Sequence, residues 1–278
     1  MLDNSNFDKK PIFIGGMYKS GTSLLRAMLG LHPDVFSGLE TYWFDLIWNN
    51  LESQKTRDRL NWIKDFYSTD DDVFRLIIES SNSSESFLDQ FMTYHATLHG
   101  KTRWLEKTPG NICYSERIFS HWPDAKIIHI IRDPRDIFSS LKIAKKWDTI
   151  EDFFDRWAYI FHETKKIHNS YKYNSSSYKE IRYEDLILKT KSTLTDICDY
   201  IEVDFKDSLS EFSGQSTDFE IVKKVTGKQS TTLSSLSKPI GNEKIGIWRN
   251  ILNDRDLSAM KDKAIALDLA DYFEKYQY

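Results

Sequence analysis

A short apolar run that ends in paired glycines and passes at once into an amphipathic helix constrains this chain more than any other feature. Pro11-Ile12-Phe13-Ile14 is too short for a helix and reads as a buried strand, and Gly15-Gly16 close it. Residues 21–31 then carry Leu24, Leu25, Met28 and Leu29 on one side of a helix. His32-Pro33-Asp34 stops that helix, because proline restricts the residue before it and cannot continue the hydrogen-bond ladder. Strand, glycine turn, helix is the repeating unit of open α/β sheets.

Further units follow. Residues 104–107 read as a second strand, closed by Thr108-Pro109-Gly110, with a helix from about Asn111 to His121. The run Lys126-Ile127-Ile128-His129-Ile130-Ile131 is the best strand in the sequence: short, β-branched and apolar on both faces, as a central parallel strand requires. Asp133 suits an N-cap and Pro134 the first helical position, so a helix runs to about Lys145. Residues 149–171 place Phe153, Trp157, Ile160, Phe161 and Ile167 at helical spacing. Ile181-Arg182-Tyr183 ends a fourth strand, before a helix over about 190–201. Residues 213–242 are rich in Ser, Thr, Gly and Lys and read as a long loop, and 254–275 as helix. Residues 41–100 read as helical and irregular, anchored by Trp43, Phe44, Trp48, Trp62, Phe66, Phe87 and Phe91 and broken at Asp70-Asp71-Asp72 and residues 80–84. No repeat or linker divides the chain. The expected fold is one three-layer α/β domain over residues 1–278, a central parallel sheet flanked by helices, of P-loop-like nucleotide-binding type.

Composition sets the outer bounds. With 278 residues, 40% hydrophobic and 14% aromatic, the chain has ample material for a core. Its 38 basic and 42 acidic residues leave a net charge of -4, which gives no sign of a nucleic-acid binder but leaves room for a local basic pocket. Cys113 and Cys198 lie far apart with no partner at metal-ligand spacing, so a reducing compartment is the natural reading. The polar opening MLDNSNFDKK is unlike a signal peptide, and no window is long enough to span a membrane. A soluble, cytoplasmic protein is expected.

Two motifs carry chemistry. In residues 15–23, a glycine turn between strand and helix offers backbone N–H groups and a helix N-terminus to an anion. The spacing from Gly16 to Gly21 matches a P-loop, yet Thr22 stands where the Walker lysine belongs, and a lysine occurs three residues earlier, at Lys19. The second motif puts Arg132 at the carboxyl end of the strongest strand and Ser140 eight residues on, in the next helix. Ligands of open α/β sheets bind outside the carboxyl ends of strands, and a guanidinium with a hydroxyl suits a phosphate. The competing reading has Arg132 and Arg135 merely pairing with Asp133 and Asp136 on the surface.

Together these segments resemble the sulfotransferases that use 3′-phosphoadenosine 5′-phosphosulfate (PAPS), most closely the tyrosylprotein sulfotransferases and related bacterial enzymes. The likeness runs through Lys19-Ser20-Gly21-Thr22-Ser23-Leu24-Leu25-Arg26-Ala27-Met28-Leu29, His32-Pro33-Asp34-Val35 and Gly38-Leu39-Glu40-Thr41. It resumes at Glu106-Lys107-Thr108-Pro109, at residues 124–140 and at Arg182-Tyr183-Glu184-Asp185-Leu186. About two-thirds of the chain is covered, with residues 46–100 unmatched.

The resemblance implies roles. Lys19, Ser20, Gly21, Thr22 and Ser23 form the 5′-phosphosulfate loop, and Arg132 and Ser140 bind the 3′-phosphate. Tyr183 lies near the nucleotide, and Lys238 contacts a phosphate from a late loop over residues 213–249 that closes over the cofactor. Glu40 falls at the position of the catalytic base, while Lys107 and Lys19 support transfer. A sulfuryl group carries less charge than a terminal phosphoryl group, so no metal is expected. His32 and His129 read as structural, and His95 with His99 lacks a third ligand. Residues 41–100 are expected to wall the acceptor side. The acceptor is a hydroxyl of a sugar, peptide tyrosine, lipid or small alcohol, and the sequence sets no oligomeric state. Two rivals remain: a P-loop kinase or NTPase, which the missing Walker lysine opposes, and a non-catalytic nucleotide-binding domain on the same fold, which Glu40, Lys107 and Arg132 together oppose.

Overall fold

A computed structural model describes residues 10–46, 53–146, 149–168, 176–214, 218–227 and 234–278. Five parallel strands, β1 (Ile12–Gly16), β2 (Val35–Ser37), β3 (Arg103–Lys107), β4 (Lys126–Ile131) and β5 (Tyr178–Arg182), form one sheet in the order β2-β3-β1-β4-β5. Ile14 pairs with Lys107 on one side and Ile128 on the other, so β1, β3 and β4 end near one another at the carboxyl edge of the sheet.

The two-residue period of the strands divides their side chains between two cores. Ile12 and Ile14 of β1, with Ile128 and Ile130 of β4, pack under α1 (Thr22–Leu29) through Leu25, Met28 and Leu29. Phe13, Ile127 and Ile131 point the other way, into a larger aromatic core with Trp104, Phe138, Phe153 and Trp157. Burying one such side chain contributes about 1.5–3 kcal/mol.

After β2 come α2 (Trp43–Leu46), α3 (Gln54–Tyr67), α4 (Asp71–Ser80) and α5 (Ser84–Leu98). The polar breaks between them act as caps: Ser53, Asp70 and Ser83 accept hydrogen bonds from Thr56, from Asp72 and Val73, and from Ser86. A 3₁₀ turn, Pro109–Tyr114, and α6 (Ser115–His121) connect β3 to β4, so the helix expected over 111–121 is two elements. Then follow α7 (Pro134–Ile143), α8 (Ile150–His168), α9 (Tyr183–Leu188), α10 (Thr190–Tyr200), α11 (Asp207–Ser210), α12 (Asp218–Thr226), α13 (Trp248–Ile251), α14 (Asp254–Ala266) and α15 (Ala270–Lys275). Together they make the expected layered α/β domain.

Three expectations need correction. The sheet has a fifth strand, β2, which at three residues is too short to show a period. Residues 213–242 are not a continuous loop: α12 lies there, with Lys223 and Lys224 in its last turn and Gly227 beyond it at φ +67°. The segment over 254–275 divides between α14 and α15 at Asp268, whose φ is +56°. Trp48 and residues 169–171 of the helix expected over 149–171 lie outside the described residues. No helix among the described residues is long and apolar enough to cross a membrane.

Candidate active site

The glycine turn works because two positions exclude a side chain. At Gly16 a Cβ would lie 2.4 Å from the Ile130 carbonyl oxygen on β4, and at Gly21 (φ +106°) it would lie 2.5 Å from the Tyr183 ring. Gly21 offers no capping side chain, so the first N–H groups of α1 face outward. Lys19 also sits at positive φ, +68°, and its carbonyl accepts a hydrogen bond from Arg132 Nη1 at 2.8 Å.

Arg132 thus joins the two motifs. The same Nη1 is 3.4 Å from Ser140 Oγ, Nη2 donates to the Lys244 carbonyl, and the guanidinium lies 4.4 Å from the centre of the Tyr183 ring. Its Nε is buried and finds no partner among the described residues. The surface-pairing reading holds for one pair in part: Arg135 and Asp133 meet at 2.7 Å, while Arg132 and Asp136 are 4.0 Å apart and both almost fully buried. Asp136 instead accepts N–H bonds from Gly246 (2.7 Å) and Trp248 (3.1 Å), tying the late loop to α7.

A cavity of about 620 Å³ opens beside these residues, lined by Lys19, Gly21, Thr22, Ser23, Arg132, Ser140, Tyr183, Lys238 and Lys244, with one carboxylate, Glu243, and apolar side chains. Ile143, 60% exposed, is one of these and offers an apolar platform for a flat ligand. Ser20 differs from its neighbours. It lines neither this cavity nor the one described next, and its hydroxyl is buried without a partner among the described residues, next to Met17 and His129.

A second cavity of about 260 Å³ lies on the other side of the loop, and Lys19, Thr22 and Ser23 line both. Glu40 and Lys107 are among its walls, with Arg26, Tyr42, Trp62 and Phe66. Lys107 Nζ donates to Glu40 and, at 3.1 Å, to Ser23 Oγ. Beneath them the buried Glu106 carboxylate accepts from Thr41 N (3.1 Å), Thr41 Oγ1 (2.9 Å), Thr108 Oγ1 (2.8 Å) and Asn111 Nδ2 (2.5 Å). Those bonds fix the turn that carries Glu40 to the end of β3.

The electrostatics are those of an anion site. Burial lowers the pKa of Lys19, and the cations Lys146, Lys244 and Arg132 lower it further. Lys244 is lowered by burial and by Arg132. Burial alone would raise Glu40, but the Lys107 ammonium and its hydrogen bond overcome that and hold the carboxyl below its ordinary value. Lys107 is itself lowered by burial, against the pull of Glu40.

All the expected site residues except Ser20 therefore line one of two adjoining cavities. Lys146, Lys244, Tyr42 and Arg26 had no assigned role in the sequence, because nothing in the spacing of scattered basic and aromatic residues marks them. The histidines are engaged elsewhere: His32 Nε2 donates to the Asp204 carbonyl at 2.9 Å while Nδ1 accepts from Asp34 N at 3.1 Å. His129 Nδ1 is 2.7 Å from the Tyr178 hydroxyl. His95 is buried 2.8 Å from Thr69 Oγ1, and burial lowers its pKa to about 4.

The chain is similar to known proteins in sequence and in fold. A Drosophila melanogaster protein-tyrosine sulfotransferase is 25% identical over 277 residues, covering 94% of this chain, which spans about half (51%) of that protein's length. The sulfotransferase domain of the Synechococcus PCC 7002 olefin synthase superposes with a TM-score of 0.64 at 21% identity, covering 96% of each chain. The sulfotransferase domain from the curacin biosynthetic pathway gives a TM-score of 0.66 at 18% identity, covering 94% of this chain and 98% of its own. The model of the sulfotransferase family matches residues 11–207, well over half of the chain, and the protein belongs to that family.

Proposed function

We propose that this enzyme moves the sulfuryl group of PAPS to an acceptor hydroxyl, with Glu40 as general base. The observation that carries the reading is the shared wall of the two cavities. Lys19, Thr22 and Ser23 border both, with Arg132 and Ser140 on one side and the Glu40–Lys107 pair on the other. The larger cavity takes the nucleotide. Its fit rests on Lys19 and Lys244, whose pKa values are lowered by burial and by neighbouring cations, and on the buried Arg132 Nε, which has no partner among the described residues. Bound there, PAPS supplies the sulfuryl group and leaves as adenosine 3′,5′-bisphosphate.

The chain's own groups do the rest. Arg132 and Ser140 bind the 3′-phosphate, and Lys238 and Lys244 add positive charge from the late loop. Tyr183 and Ile143 contact the base. Glu40 takes the proton of the acceptor hydroxyl in the smaller cavity, where residues 41–100 supply the aromatic wall. Lys19, Lys107 and the N–H groups at the start of α1 oppose the charge that grows on the departing 5′-phosphate oxygen. Held by Lys107, Glu40 is ionised but weakly basic. When Lys107 turns toward that growing charge, Glu40 regains the basicity its buried position favours. The aromatic wall suits an acceptor that presents a flat or apolar face, and the Drosophila relative's name specifies tyrosine in protein.

The test is transfer from ³⁵S-labelled PAPS to a panel of phenols, tyrosine peptides, sugars and alkyl alcohols. Glu40→Gln should lower turnover by about 10²–10⁴-fold while leaving binding of adenosine 3′,5′-bisphosphate near wild type. Near-normal turnover would move the base elsewhere. Magnesium-dependent phosphoryl transfer from ATP without any sulfuryl transfer would favour the kinase alternative.

A further inference from the structure

Tyr42 occupies a position that needs explanation. It is a bulky aromatic residue at φ +50°, in the left-handed region that disfavours a side chain. The backbone around it is pinned from three directions. Its own N–H donates to Thr108 Oγ1 at 3.1 Å, the preceding N–H and hydroxyl of Thr41 donate to buried Glu106, and the Thr41 carbonyl accepts from Arg59 Nε at 2.8 Å. The guanidinium of Arg59 also covers the Tyr42 ring at 4.7 Å and packs at 3.9 Å on Trp62, so the ring is clamped as well as the backbone. This effort delivers one group. The Tyr42 phenol reaches toward the Glu40 carboxylate, and both residues line the smaller cavity.

We propose that Tyr42 is the positioning residue of the general base: its hydroxyl holds the Glu40 carboxylate in orientation while Lys107 turns away to the donor. The proposal rests on Glu40 serving as the base. A base held by Lys107 alone would lose its orientation at the moment it is needed. A second cation would keep it oriented but also keep it weak. A phenol escapes both problems, since it donates a hydrogen bond without carrying charge. Burial and the neighbouring carboxylate push the Tyr42 pKa upward, so the phenol keeps its proton throughout the working range.

Several groups face Glu40. Lys107 from β3, Arg26 from α1, Lys19 from the glycine loop and Arg59 from α3 all favour its ionised form, as does the Tyr42 phenol. Glu106 lies beneath them and interacts with Arg26, Arg59 and Lys107, and Tyr67 from α3 donates to the Leu39 carbonyl at 2.8 Å. Removing a donor to the carboxylate must therefore raise the Glu40 pKa.

The test is Tyr42→Phe, which keeps the ring and its contact with Arg59, in the full chain. ¹³C NMR would follow the Glu40 carboxyl through a pH titration, assigned by comparison with Glu40→Gln. The Glu40 midpoint should move upward, and kcat with the best acceptor from the panel should fall about ten- to a hundredfold with KM for PAPS unchanged. Arg59→Met, which keeps the phenol but removes the clamp, should move the midpoint in the same direction. An unmoved midpoint in Tyr42→Phe overturns the proposal, whatever the kinetics and whatever Arg59→Met does. An upward shift in a protein that never uses PAPS would support the Tyr42 contact and sink the sulfuryl-transfer reading instead.

Discussion

Arg132 and Glu40 are each held by groups that, on the proposed mechanism, a ligand or the reaction itself redirects, and that makes their substitution informative. Arg132 bonds two carbonyls, of Lys19 and Lys244, and its buried Nε has no partner among the described residues. Adenosine 3′,5′-bisphosphate should raise the melting temperature well above what adenosine 5′-phosphate achieves, and Ser140→Ala should narrow that gap without disturbing the loop. Arg132→Ala should abolish it, since a charge-assisted hydrogen bond contributes about 1.5–3 kcal/mol. Equal stabilisation of the wild type by both nucleotides would sink the 3′-phosphate assignment. Glu40 makes a prediction in pH. Its pKa is depressed, so the carboxylate is ionised above the ordinary carboxyl range, and the pair with Lys107 is lost only as pH falls through that lowered value. In Lys107→Met burial goes unopposed by its largest counterweight, and the acid limb of the rate profile should move upward. A limb that stays in place would show that Glu40 is not the group it reports.

At the scale of elements, the site depends on how firmly the late loop is fastened to α7. Asp136 alone accepts the N–H groups of both Gly246 and Trp248, and the Arg135 guanidinium lies 4.1 Å from the Trp248 ring. Asp136→Asn removes the charge and one accepting oxygen. Calorimetry should show binding of adenosine 3′,5′-bisphosphate weakened about tenfold or more, while the pH dependence set by Glu40 stays unchanged. Unaltered affinity would mean that the loop is held by other contacts. The elements also show what was legible in sequence. β1 and β4 are apolar on both faces and end in glycines or a charged turn, so pattern alone located them and the Arg132–Ser140 pair. β2 has three residues, too few for a period to register, and α12 was hidden by polar composition although Gly227 marked its end. Tyr42 and Lys244 escaped notice for a different reason. The roles proposed for them arise from contacts with Arg59, Glu40 and Arg132, which are distant in sequence or invisible in spacing.

The whole molecule carries a net charge of -4, yet its cations converge where α1 begins. Lys19, Lys146, Lys244 and Arg132 sit close enough to depress the pKa of Lys19 together, an arrangement that costs free energy until an anion arrives. On the proposed mechanism this concentration takes the part that Mg²⁺ plays in a P-loop NTPase, where a Walker lysine and the metal share the phosphate charge. Here the Walker position is Thr22, and the counter-charge is proposed to come from side chains on the glycine loop, on β3, just after β4 and on the late loop. Two consequences can be measured on one protein. Adenosine 3′,5′-bisphosphate at a hundred times its Kd should stabilise the fold by about 2.7 kcal/mol, and this should decline with added salt, because partly exposed cations such as Lys238 are screened. ATP with Mg²⁺ should stabilise less, since the site already holds the positive charge that the metal would bring. Sulfuryl transfer to a verified acceptor should then continue at an undiminished rate in excess EDTA. Activity that vanished on chelation and returned with Mg²⁺ would mean that the clustered lysines are insufficient, and that the charge of the leaving nucleotide is met by a metal after all.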